Sequence, residues 1–267
     1  ENYDSAMSTA VFFHAHPDDE AIATGGTMAL MADAGHRVVL VCATRGEQGT
    51  PQPGVLAEDE VLWKRRETEL AEACRILGVA RFELLGYADS GMMGEPTNDD
   101  PASFWRADLE EAAARLAQIL VEEKADIVTV YDADGTYGHP DHIQVHRVGM
   151  RAAELAGTKR VFISTINRDY FKELFAHASE FGMEVPDDIR ESIDTMGVPA
   201  SVITTAVDVT GYLGVKQAAM RAHASQIGED SPFLGMPPEA AAAVWGVEFY
   251  VRVGTEPAAE LETSLLD

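Results

Sequence analysis

Short apolar runs alternate with amphipathic stretches over the first 166 residues. AVFFH (10–14), RVVLVCA (37–43), RFELLGY (81–87), DIVTVY (126–131) and RVFISTI (160–166) are brief and partly β-branched. Runs of that length predict strands, and their continuous apolar character predicts burial on both faces. Between them, residues 20–35, 58–79, 106–124 and 140–156 carry apolar side chains at helical spacing. Pro140 opens the last of these, a position where its missing N–H costs nothing. Strand–helix alternation of this kind predicts an α/β fold, with a mostly parallel sheet and helices on both faces.

The pattern loosens after residue 167. A helical patch (168–181) leads through a connector containing Pro and Asp to SVITTAVDV (201–209), a helix near 212–225 and VEFYVRV (247–253). These late strands either extend the sheet or form a smaller C-terminal cap over the site. Residues 7–255 are expected to make one catalytic domain, irregular from about 168. EPAAELETSLLD (256–267) reads as an acidic tail of doubtful order. The opening ENYDSA lacks an initiator Met, so residues 1–6 are read as a non-native remnant before Met7.

Composition narrows the function by exclusion. Asp and Glu outnumber Lys and Arg by 45 to 20, a formal charge of −25. Such a field repels phosphate backbones and anionic lipid, so no nucleic-acid or membrane partner is expected. It suits a divalent cation better than a polyanion. No apolar run approaches the roughly 20 residues of a membrane-spanning helix, and no secretory leader is evident. Cys42 and Cys74 lie far apart in apolar contexts. They read as buried free thiols of a reducing cytoplasm, the expected location. Oligomeric state is left open, homo-oligomers included.

Ligands of open parallel sheets bind beyond the carboxyl ends of the strands. The first four strands are followed by HAHPDDE (14–20), TRGEQGT (44–50), ADSGM (88–92) and DADGTYGHPDH (132–142). Nearly every unusual polar cluster therefore reaches one rim. Two His and one carboxylate from these segments would leave an open coordination position, the pattern of a catalytic zinc. The same set can hold Fe2+, and leftover imidazole and carboxylate would serve as acid and base.

AHPDDE (15–20) and HPDH (139–142) resemble the two signatures of the PIG-L/LmbE family of zinc-dependent N-deacetylases. The resemblance implies a Rossmann-like fold and a hydrolase that removes an acyl group from an N-acetylated amino sugar. It implies Zn2+ on His16, Asp19 and His142, with Asp18 as general base. His139 would stabilise or protonate, Asp141 would orient His139, and Tyr137 would help polarise the substrate carbonyl. Within the family, GYADSGMMG (86–94), KRRETEL (64–70) and MRAHASQI (220–227) resemble segments of the mycothiol-pathway enzymes. That likeness makes Asp89, Arg66 and His223 candidate substrate contacts. The small-molecule substrate would be an N-acetylglucosaminyl-inositol or, alternatively, a mycothiol S-conjugate cleaved at its amide.

Blander readings stand beside these. Asp18 or Asp19 could cap the following helix, and Asp141 could complement a helix dipole. His14 reads as a core residue, His146 as a scaffold residue, and His36 and His177 as surface residues. Arg45 and Glu47 could brace the rim through an ion pair. Gly25-Gly26 invites a dinucleotide reading, but the full GxGxxG spacing is absent. Two distant rivals follow: an Fe(II) oxygenase on the same triad, and a non-catalytic nucleotide-binding domain.

Overall fold

A computed structural model describes residues 7–182, 185 and 187–267. The expected remnant at residues 1–6 lies outside the described residues. The chain runs β1 (Thr9–His14), α1 (Gly25–Asp33), β2 (Arg37–Cys42), α2 (Leu62–Leu77), β3 (Arg81–Leu84), α3 (Leu109–Glu122) and β4 (Ile127–Tyr131). It continues through a single turn α4 (Gly135–Gly138), α5 (Pro140–Ala156), β5 (Arg160–Thr165), α6 (Arg168–Ala176) and α7 (Asp187–Ser192). The last elements are β6 (Thr205–Asp208), α8 (Leu213–Ala222), α9 (Pro238–Trp245) and β7 (Val247–Arg252).

The strands form one sheet of seven, in the order β3-β2-β1-β4-β5-β7-β6. The pairs joining β3, β2, β1, β4 and β5 are parallel. β7 runs antiparallel to both β5 and β6. The late strands therefore extend the sheet, and the expectation that they might instead form a cap is set aside. Residues of α6, α7 and α9 line a cavity that also reaches Asp19 and His142; sequence patterning predicts only the first of these helices.

Side chains alternate across each strand, so successive residues feed opposite cores. Ala10 and Phe12 join Val38 and Leu40 on the face packed by α1, α2 and α8. Val11 and Phe13 join Val39 and Val41 on the face packed by α3 and α5. Both layers are buried, which explains the nearly continuous apolar runs. Contact between α1 and the loop entering α8 is close enough that a Cβ at Gly26 would stand 2.5 Å from Val209 Cβ.

The C-terminal tail packs against the open edge of the sheet. Glu262 O accepts from Ala206 N, Thr204 O accepts from Glu262 N, and Leu265 is buried. Arg252 clasps Glu262 at 2.6 Å. An edge strand presents unpaired backbone groups that a passing chain could pair with, and this segment covers them. The acidic composition hides the tail's order, because Leu265 and Leu266 packing on the core, backbone pairing and the contacts of Glu262 hold it.

Candidate active site

The turn after β1 carries most of the chemistry. A five-residue π-helical turn (Glu20–Thr24) bridges that turn and α1. Asp18 holds a φ of +114°, a region that non-glycine residues rarely occupy. Asp19 stands at the N-cap of that turn, as composition allows, but its carboxylate makes no capping hydrogen bond. Asp19 Oδ2 instead accepts from His16 N at 2.9 Å.

That same oxygen lies 3.4 Å from His16 Nδ1 and 3.4 Å from His142 Nε2. The three ligand atoms fall within 4.8 Å of one another. His142 reaches this point from the first turn of α5, and Tyr131 stacks on its ring with centroids 4.6 Å apart. The second nitrogen of His16, Nε2, faces Asp141 Oδ2 at 3.1 Å and Asp89 Oδ1 at 3.5 Å. Ligating imidazoles usually direct their other nitrogen to a carboxylate in this way. Burial opposes charge on His16, yet Asp141, Asp19 and Asp89 together raise its pKa well above the ordinary range. This pocket calls for a positive charge, and its donor set is one a divalent metal fits.

A second grouping, of His16, Asp89, His139 and Asp141, also brings its ligand atoms within 4.8 Å. Its carboxylates are already engaged. Asp141 accepts from Ser90 N at 3.0 Å and from the Ser90 hydroxyl, while Asp89 accepts from Gly91 N and Gln48 N. The His16, Asp19 and His142 set is the more available of the two.

Several expected partnerships are rearranged. Asp141 was expected to orient His139, but its carboxylate lies on His16 and Ser90. Only its backbone N–H meets His139, donating to Nδ1 at 3.1 Å. The geometry follows from the helix start: His139 is the N-cap and its ring accepts from the first turn. With Nδ1 accepting, the neutral ring carries its proton on Nε2. Burial, then His16 and His142, lower the His139 pKa to about 4.

Arg66 does not point into open space. It is buried, donating to Gly46 O at 2.8 Å and to Pro17 O, with Asp18 Oδ2 at 3.1 Å. Gly46 permits this, since any side chain there would collide with the guanidinium. Burial pushes the Asp18 carboxyl up to about 6, against the opposing pull of Arg66. His223 is fully buried, 2.5 Å from Glu20 Oε1, and Glu20 Oε2 accepts Asp18 N at 2.9 Å. Both Arg66 and His223, expected as substrate contacts, are buried; Arg66 lies against Pro17 and Asp18, and His223 reaches the Asp18 turn through Glu20. Asp89 stays at the site beside His16. Tyr137 is half exposed, its hydroxyl 3.3 Å from His142 Nε2.

Glu20 and Ser90 were overlooked although both sit inside quoted motifs, because position alone does not reveal a bracing role. Tyr131 carries no sequence signal at all. His14 is buried between Tyr131 and Thr24, as a core residue should be. His36 is buried too, accepting from Ser8 N, and is not the surface residue expected. Arg45 pairs with Glu67 rather than Glu47, and Glu47 accepts from Asp89 N. The Gly25-Gly26 helix start is closed to phosphate, because Glu248 takes the N–H groups of Gly26 and Thr27 at 2.9 Å each.

The family profile PIG-L: GlcNAc-PI de-N-acetylase matches residues 11–153, which contain both signature motifs. This chain belongs to the PIG-L family. It is 43% identical over 258 residues to the 1D-myo-inositol 2-acetamido-2-deoxy-alpha-D-glucopyranoside deacetylase of Acidothermus cellulolyticus, covering 92% of this chain and 88% of that one. The fold is shared with the N,N'-diacetylchitobiose deacetylase of Pyrococcus horikoshii (TM-score 0.53, 24% identity, 84% of this chain and 73% of that one). It is also shared with the hydratase GalB of Pseudomonas putida (TM-score 0.61, 21% identity, 96% and 100%). A hydratase among the neighbours shows that the PIG-L fold alone does not fix the reaction. Among the described residues, no helix is long and apolar enough to cross a membrane.

Proposed function

We propose that this PIG-L family member is a zinc-dependent N-deacetylase acting on an N-acetylglucosaminyl-inositol or a close amino-sugar relative. The observation that carries the reading is the set of donors His16, Asp19 and His142, next in the chain to Asp18, whose carboxylate lies outside that set and pairs with Arg66. A divalent metal held there would activate water and polarise the amide carbonyl. Zinc suits two imidazoles and a carboxylate, with Fe2+ the second choice.

Asp18 takes the proton from the attacking water. Its carboxyl, raised to about 6, lies close to the value a base needs near neutrality. Arg66 pairs with that carboxylate and Glu20 accepts from the Asp18 backbone N–H, so little reorganisation is needed as the reaction proceeds. Tyr137 offers its hydroxyl to the developing oxyanion. His139, donor at Nε2, assists departure of the amine. Asp89, buried at the rim, is the candidate for holding a sugar hydroxyl. Two buried free thiols fit work in the cytoplasm.

The test is release of free amine from N-acetylglucosaminyl-inositol, N-acetylglucosamine and a mycothiol S-conjugate by zinc-loaded and iron-loaded protein. Hydrolysis of the inositol conjugate is expected. Cleavage confined to the S-conjugate would move the assignment to the amidase, and no metal-dependent amine release would end it.

A further inference from the structure

The described residues line an open-mouthed cavity of about 870 Å³ whose wall includes Asp19, Tyr137 and His142. That volume lies in the range of pockets that enclose a drug-sized ligand, on the order of 300–1,000 Å³. An acetyl group, two carbons and an oxygen, fills a small part of it. Away from the donor set, the wall is built from Ile22, Phe171, Met196, Phe233, Trp245 and Phe249. Of its charged members away from the donor set, Lys216 and Glu248 are paired with each other, and Asp230 is exposed to solvent. Lys216 Nζ meets Glu248 Oε1 at 2.5 Å, and Glu248 is further engaged by backbone N–H groups. Thr165 gives its hydroxyl to Asp132 at 2.6 Å. Apart from Asp230 and the unpaired hydroxyl of Ser231, what the lining leaves to be covered is mostly apolar surface.

The cavity lies on one side of the donor set only. Tyr137 and His142 border it, whereas Asp18, Asp89 and His139 do not. The proposed hydrogen-bond donor to the amine, His139, thus stands on the polar side, and the proposed carbonyl polariser, Tyr137, on the apolar side. An amide bound across this division places its amine half towards Asp89 and its acyl half towards the cavity.

We infer that the cavity receives an extended apolar acyl chain, so that amino sugars N-acylated with chains of several carbons are substrates alongside the N-acetyl compound. The inference rests on the deacetylase reading. Water adds across the amide, the C–N bond breaks, the acyl half leaves as a carboxylate and the amine departs protonated.

The test compares kcat/KM of the zinc-loaded chain on glucosamine N-acylated with acetyl, butanoyl, hexanoyl and octanoyl groups. A rise of about fourfold is expected for each methylene that reaches the cavity, equivalent to about 0.8 kcal/mol. A parallel series carries the same alkyl lengths on the anomeric oxygen of N-acetylglucosamine, and should stay flat. Calorimetric binding of octanoate should exceed that of acetate by more than tenfold, independent of turnover. Phe233→Asp should level both the acyl series and the octanoate preference. A steady fall from acetyl onward, a rise confined to the glycoside series, or equal binding of octanoate and acetate overturns the inference. If no compound is hydrolysed, acetyl included, the deacetylase reading fails while octanoate binding still decides the cavity.

Discussion

Replacing His223 with Ala tests whether this residue braces the site from behind or touches substrate. Its Nε2 lies 2.5 Å from Glu20 Oε1, and both side chains are fully buried. Burial opposes the imidazolium, but Glu20 holds its pKa above the ordinary value. Removing the imidazole strands a carboxylate inside the protein, a change that costs about 3–5 kcal/mol. For a domain of this size each 1 kcal/mol shifts Tm by roughly 2–4 °C, so Tm should fall by about 6–20 °C. Thermal unfolding followed by circular dichroism, at one fixed metal concentration because bound metal stabilises the folded state, reads this directly. His223→Gln keeps a donor for Glu20 and should recover part of the loss. Kinetics supply the second readout. Glu20 fixes the Asp18 backbone N–H, so a loosened brace should lower kcat with little change in KM. An unchanged Tm, or a rise in KM alone, would refute the bracing role and restore His223 as a substrate contact.

Asp18→Asn keeps its size but loses the proton acceptor, so bound zinc by elemental analysis should stay while kcat falls. Asp19→Asn should lower metal affinity and be partly rescued by excess zinc, and the reverse rescue pattern would mean the two roles are exchanged. Asp141→Asn loosens the carboxylate on His16 Nε2, and a metal titration should show affinity reduced about 10–100-fold. An unchanged titration would separate Asp141 from His16. His139→Ala should keep its metal and lose about 10²–10⁴ in rate; metal loss together with activity would place His139 among the ligands. Gly26→Ala forces a methyl against Val209 and should destabilise by about 1–3 kcal/mol, read as a shift of the denaturant midpoint.

Much of this molecule was legible along the chain, because the relevant forces act over a few residues. Apolar runs as short as AVFFH become strands when both faces are buried, and Pro140 marks a helix start that its ring geometry favours. AHPDDE and HPDH pointed to one rim, since parallel strands deliver their carboxyl ends to the same side. Helix α9 escaped notice because its Ala-rich turns show little amphipathic contrast, and the docked tail because its charge masked Leu265.

The partners within the site were decided only by the tertiary structure. Asp141 lies two residues from His139 yet reaches across 125 positions to His16. Arg66 arrives on α2 to hold Pro17, Asp18 and Gly46, and His223 arrives on the end of α8 to hold Glu20 across 203 positions. The sequence determined which residue types gather at the strand ends, because period and turn chemistry are local. Which carboxylate faces which imidazole depends on the angle at which separate helices pack. A charged group in a buried site accepts whatever donor the packing brings within about 3 Å, and sequence distance has no part in that choice.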